Sequence, residues 1–266
     1  MRKPETTRRI VMCADDFGAN EAASDAIIDL GRRHAISATS CLVCAPVAGR
    51  YAARLQAAAP DVSIGLHLDL TEFAPDAIRA TLHRWLLNSL VLRGVDRLAV
   101  LAEIRSQMRR FEELFGAPPA YIDGHCHVHQ LPGVREPLLQ EMTRRYGRAA
   151  AVRSTCIATR TGVKAWIIQE LGGRAMRAQI ARAGLQANTD FAGAYDFSMT
   201  RPFEQRMEHW LRRLHDNGML MCHPELPPDE ATPRNAREAE YRFLASPAWT
   251  EMRSKFNIRL QPFRGN

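Results

Sequence analysis

The chain has 266 residues, 46% hydrophobic and 24% charged, with a formal charge of +7 and a pI near 9.4. This composition excludes a disordered or fibrous chain and supplies enough apolar side chain for a sizeable core. No run reaches the roughly 18 consecutive apolar residues of a membrane-spanning helix, and the short polar Met1–Arg9 segment lacks a secretory layout, so a cytoplasmic protein is expected.

Short apolar runs alternate with longer amphipathic ones. Ile10–Ala14 predicts a strand and Glu21–Arg33 a helix; Ser40–Cys44 a strand, then Ala48–Ala59 a helix closed by Pro60. Val62–Leu70 reads as a strand and Val95–Phe115 as a long helix stopped by Gly116 and Pro118–Pro119. Tyr121–His129 reads as a strand opening into a loop, followed by a helix over Val134–Tyr146, a strand over Ala149–Arg153 and a helix over Val163–Ala183. Pro202–His215 predicts a helix, Met219–His223 a strand and Asn235–Ala245 a helix. Repeated strand–helix units imply parallel strands with helices outside, and their number favours a distorted, TIM-barrel-like (β/α) barrel over an open sheet. Without linker, repeat or composition break, residues 1–266 read as one domain; the less periodic stretch 71–96 reads as a lid or insertion.

The six cysteines sit mostly in apolar runs, as at Cys13, Cys41, Cys44 and Cys222, and are expected as free thiols. The Cys41/Cys44 spacing has no second pair to complete a zinc site. Arginines come in twos along helix-like stretches with acids between them, a pattern of solvated helix faces rather than a nucleic-acid stripe.

Four polar clusters stand at the ends of four apolar strands. Asp15 and Asp16 follow the first; adjacent carboxylates call for a cation or shared proton, although either could cap the next helix. His67 lies inside the third strand, where a ligand or a hydrogen-bonded core histidine would fit. Asp123-Gly124-His125-Cys126-His127-Val128-His129 carries the strongest local signal, because histidines two apart on an extended segment share one face and suit a divalent cation. Spacing leaves His125 and His127 as alternative ligands, with His129 a further candidate and Asp123 a partner fixing a histidine tautomer. His223 ends a late strand before Pro224-Glu225, and Arg153 ends another, where it could reach a substrate oxygen or lie on the surface. In a parallel α/β barrel such ends converge on one face. His34, His83, His209 and His215 read as surface residues.

At these residues the chain resembles the YdjC-like carbohydrate deacetylases, which include chitooligosaccharide deacetylases and hopanoid-associated relatives. The matching stretches are ADDFG (Ala14–Gly18), GLHLDLT (Gly65–Thr71), FEELFGAPPAYIDGHCHVH (Phe111–His129), CHPE (Cys222–Glu225) and REAEYRFLAS (Arg237–Ser246). The resemblance implies a distorted barrel that removes an N-acetyl group from an amino sugar or glycan. It implies one divalent ion, magnesium or zinc, held by Asp16, His67 and His125, with Asp15 as base and His223 as general acid or substrate contact. Many relatives carry a histidine where this chain has Cys126, often a serine at Gly124, and glycine where it has Glu225. The rival enzyme reading is a metal phosphoesterase or another amidohydrolase, which usually wants more carboxylates or a second metal. The rival non-enzyme reading is a basic nucleic-acid-binding protein. The oligomeric state stays open, a homodimer included.

Overall fold

The computed structural model describes residues 6–157, 163–228 and 233–265. In chain order the elements are β1 (Arg8–Phe17), α1 (Glu21–Arg32), β2 (Ala38–Cys41), α2 (Ala48–Ala58), β3 (Ser63–Leu68), α3 (Leu82–Leu86) and α4 (Arg97–Phe115). There follow β4 (Tyr121–Gly124), α5 (Arg135–Tyr146), β5 (Ala151–Val152), α6 (Val163–Ile168), α7 (Arg174–Arg182) and β6 (Phe191–Ala192). The last are α8 (Phe203–Leu211), β7 (Gly218–Cys222), α9 (Ala236–Ala245), α10 (Pro247–Lys255) and β8 (Ile258–Leu260).

All strand pairs are parallel, in the order β5-β4-β3-β2-β1-β7-β6, and β8 adds to the first residues of β1. β1 is buried without interruption from Ile10 to Phe17, as expected of a strand covered on both faces. The two ends of the sheet nearly meet. Val152 bridges Ala187 just before β6, and the Asn188 carboxamide accepts from Ser154 N and donates to Ser154 O, both at 2.8 Å. An amide side chain thus stands in for the missing ladder bonds, leaving a curled, incompletely closed barrel.

The main apolar core lies between the strands and the surrounding helices. A smaller one, with Val11, Cys13, Tyr121, Phe191, Met219 and Phe263, fills the barrel interior. Gly65 gives the Tyr121 ring its place in this smaller core, since a Cβ there would lie 2.5 Å from the ring. Helix starts follow sequence chemistry: Asn20, Asp96 and Asn235 accept from the first-turn amides of α1, α4 and α9.

Stretch 71–96 is partly helical, with α3 running into a π-helical turn at Leu87–Leu92. Two expectations change. The helix expected over 163–183 breaks at Gly172–Gly173, where the chain passes so close to Gln130 that a Cβ on Gly172 would meet its carbonyl at 2.5 Å. The strand expected over Tyr121–His129 stops at Gly124. The short β6 and β8, and α10, fall below what periodicity detects.

Candidate active site

β1, β3, β4 and β7 deliver their C-terminal residues to one cavity of about 350 Å³, lined by Asp15, Asp16, His67, His125, His127 and His223 among others. That both aspartates reach it needs explanation, because neighbouring strand residues point to opposite faces. Asp15 continues the inward row of Val11 and Cys13. Asp16 has φ 69°, and the β1–β2 register slips between Ala14 and Phe17. This bulge turns the second carboxylate toward the cavity.

Beneath the cavity lies a fully buried ionic cluster. The Arg153 guanidinium donates to both Asp15 carboxylate oxygens at 2.6 Å and pairs with Asp123 Oδ2 at 2.7 Å. Ser40 Oγ donates to Asp15 Oδ1 at 3.0 Å. Burial opposes the Asp15 charge, but Arg153 prevails and holds the carboxyl well below its usual range. Arg153 is therefore neither a surface residue nor a pocket residue; its side chain is 0% exposed. Asp123 Oδ1 lies 2.6 Å from His67 Nδ1, which fixes the ring and turns Nε2 toward Asp16, 3.6 Å away.

The histidine run does not share one face. Cys126 and His127 both take left-handed backbone, φ 50° and 58°, so Gly124 leads into a tight turn rather than further strand. His125 Nδ1 lies 3.2 Å from Asp16 Oδ1 and its Nε2 lies 3.2 Å from Glu72 Oε2. His127 instead packs edge-on against Phe191. His129 is buried outside the cavity lining, with Nε2 3.2 Å from the Arg153 carbonyl. Burial leads in lowering both, His127 well below its usual value and His129 to about 4. The left-handed pair thus separates His125, beside Asp16, from the two rings behind it.

His223 is set by Glu240, which accepts from its backbone N–H and from Tyr195 OH at 2.5 Å. Burial pushes His223 down to about 4 and Glu240 up to about 7. The His223 Nδ1 has no hydrogen-bond partner among the described residues. Two charged residues escaped the sequence reading. Arg237 Nη1 lies 3.0 Å from Asp16 Oδ2 and 3.5 Å from Glu225 Oε1, with its guanidinium over the Phe197 ring. Glu72 is positioned by Asp69, whose carboxylate accepts the Thr71, Glu72 and Phe73 amides, as an Asx-type turn does. A signal for each existed: Glu72 directly follows the GLHLDLT stretch, and Arg237 opens REAEYRFLAS.

Donor atoms of Asp16, His67 and His125 lie within 4.8 Å of one another. One carboxylate with two imidazoles fits a divalent cation, and the fixed His67 ring offers a free Nε2. Burial disfavours the His125 imidazolium, yet the Asp16 hydrogen bond overrides it and pushes the group up to about 11. Asp16 thus favours positive charge at the place a cation would take. Cys13, Asp15 and Asp123 form a second group of potential ligands, but the Arg153 guanidinium already lies 3.1 Å from Cys13 and within 2.7 Å of each carboxylate.

All six cysteines are free, Cys126 being exposed. His34, His83 and His215 are exposed and His209 is half-buried. Paired arginines meet acids on helix faces, as in Arg33–Asp29, Arg145–Glu112 and Arg212–Glu208. Among the described residues no helix is long and apolar enough to cross a membrane.

The sequence profile of the YdjC-like protein family matches residues 9–255. A chitooligosaccharide deacetylase of Yersinia pestis is 30% identical over 224 residues, covering 81% of each chain. A carbohydrate deacetylase of Danio rerio is 37% identical over 155 residues, 53% of this chain and 48% of that one. A solved Enterococcus faecalis protein, provisionally named for cellobiose-phosphate cleavage, superposes with a TM-score of 0.70 at 20% identity, covering 97% and 98% of the two chains. The peptidoglycan N-acetylglucosamine deacetylase Bc1960 shares the fold more distantly, with a TM-score of 0.51 at 11% identity over 97% of this chain and 87% of that one. From its first strand to its last helix, the chain belongs to the YdjC-like protein family.

Proposed function

We propose that the chain is a metal-dependent hydrolase that removes the N-acetyl group from an amino sugar or glycan. One observation carries the reading: Asp16, His67 and His125 converge at a pocket wall beside a second carboxylate, Asp15, that a buried arginine keeps ionised. The names of the Yersinia and Danio relatives supply the substrate class. Magnesium and zinc both fit the donor set.

A divalent ion there would polarise the acetyl carbonyl and acidify a water molecule. Asp15 takes the proton that water loses as it attacks. Arg153 guarantees that Asp15 is available as an acceptor and also weakens it as a base, so its main contribution is position. His223 is neutral at pH 7 and lines the cavity, so it serves the departing amine as an acid only after taking up a proton, which the attacking water releases. Arg237 and Asp123 orient Asp16 and His67 respectively. A shallower groove lined by Asn20, Glu72, Glu225 and Arg237 adjoins the cavity and offers polar groups to sugar hydroxyls.

A two-metal phosphoesterase fits less well. The guanidinium of Arg153 already occupies the second ligand group, pairing with both of its carboxylates, and a second cation would have to displace it. The test is acetate release by the metal-loaded protein across N-acetylated sugars from monomers to oligomers. Acetate and free amine should appear in equal amounts. A broad panel yielding neither removes the deacetylase reading.

A further inference from the structure

Two segments forming the pocket wall are apolar on the outside as well. Leu82 and Leu86 face the cavity from α3, and Ile168 and Leu171 from α6 and the turn after it. On the same segments Leu87, Leu90, Val91 and Leu92 are exposed, the last two at 68% and 62%, as are Val163, Trp166 and Ile167. Large apolar side chains gathered around a binding mouth usually mark an interaction surface. The first segment also carries exposed Arg84 and Arg93, with Arg97 just beyond; on the second the Lys164 ammonium turns inward to the Tyr195 carbonyl at 2.7 Å, and exposed Glu170 pairs with Arg174.

We infer that this collar docks on a lipid bilayer with anionic headgroups, with Leu87–Leu92 and Val163–Ile167 entering the interfacial layer. Interleaved leucines and arginines, with a tryptophan beside them, are the chemistry of interfacial binding, in which apolar burial and attraction to anionic lipid add. Charge argues for lipid over a second copy of the chain. A two-fold contact would put the basic first segment of both copies, with Arg84, Arg93 and Arg97, into one interface, on chains already carrying +7. An anionic surface is complementary to both charges.

The chain reports on this directly. Of its four tryptophans, Trp85, Trp210 and Trp249 are buried and Trp166 is 43% exposed. The experiment mixes the full chain with vesicles of phosphatidylcholine alone or with added phosphatidylglycerol, reading co-sedimentation and tryptophan emission. We expect binding that grows with phosphatidylglycerol, weakens with salt, and shifts Trp166 emission to the blue. Val91→Asp with Leu92→Asp should lower partition at least about tenfold, because each exposed side chain loses its apolar burial. Trp166→Phe should remove most of the shift while binding persists. Absence of partition into either vesicle, or partition unchanged by the double substitution, would overturn the inference. So would a wild-type dimer that the double substitution makes monomeric, which would assign the face to a second copy. Partition is read without catalysis, so failure here leaves the deacetylase reading untouched, and the reverse holds.

Discussion

Replacing Arg153 with methionine should destabilise the protein severely, and more at neutral than at acid pH. The guanidinium is 0% exposed and sits 2.6 Å from Asp15 and 2.7 Å from Asp123, whose side chains are 1% and 0% exposed. Methionine fills similar space but leaves two buried carboxylates facing each other without their counter-charge. Breaking a buried ion pair from one side typically costs about 3–5 kcal/mol. For a chain of this size that corresponds to a midpoint lowered by roughly 10 °C, at about 2–4 °C per kcal/mol. The pH dependence gives a sharper signature. In the native chain Asp15 lies below its unfolded value, so its contribution is present above about pH 4 and fades as pH falls through the folded pKa. In the variant, burial acts on Asp15 with little to oppose it and moves its pKa above the unfolded value. The penalty should then be smallest at the acid extreme, where Asp15 is protonated in both proteins, and grow as pH rises toward the new pKa. Urea unfolding of both proteins at pH 5 and pH 7.5 reads the difference. A variant within about 1 kcal/mol of the native chain at pH 7.5, or a penalty independent of pH, would refute the account of Arg153 as the counter-charge of this cluster.

Further outcomes follow from the same geometry. Asp15→Asn should abolish turnover while divalent metal still binds; retained activity would remove Asp15 from the role of base. Divalent metal added at pH 7.5 should displace at least one proton per ion, because Asp16 holds His125 up at about 11; calorimetry in buffers of different ionisation heat counts it. Arg237→Ala should lower kcat/KM or metal affinity about 10–100-fold without unfolding the chain, since Arg237 lies 3.0 Å from Asp16 Oδ2. Gly65→Ala should cost about 1–3 kcal/mol in urea unfolding, because its Cβ would press on the Tyr121 ring at 2.5 Å.

Much of this architecture is legible in the sequence, for identifiable reasons. Strands β1, β3 and β7 are apolar runs that end in charge, so Asp15, Asp16, His67 and His223 can be placed at strand ends by pattern alone. Their meeting in one cavity then follows from parallel topology. Backbone conformation is harder to read. Nothing in Gly124–His129 announces two consecutive left-handed residues, so an extended reading puts three histidines on one face when only His125 reaches Asp16. The same blindness hides the turn at Asp16. Contacts distant in sequence are harder still: Arg153 lies 138 residues from Asp15, and only the folded barrel reveals it as a buried counter-ion rather than a substrate contact. Arg237 reaches Asp16 from α9, at the other end of the chain. The near-closure at Val152 and Asn188 leaves no periodic trace because a single bridge and one side chain make it.

An anomalous difference map from zinc-soaked crystals tests the central assignment most directly. It should show one strong peak bonded to an Asp16 oxygen, His67 Nε2 and a His125 nitrogen at about 2.0–2.2 Å, and the peak should vanish in Asp16→Ala. A peak between Cys13, Asp15 and Asp123, or metal bound away from both histidines, would contradict it.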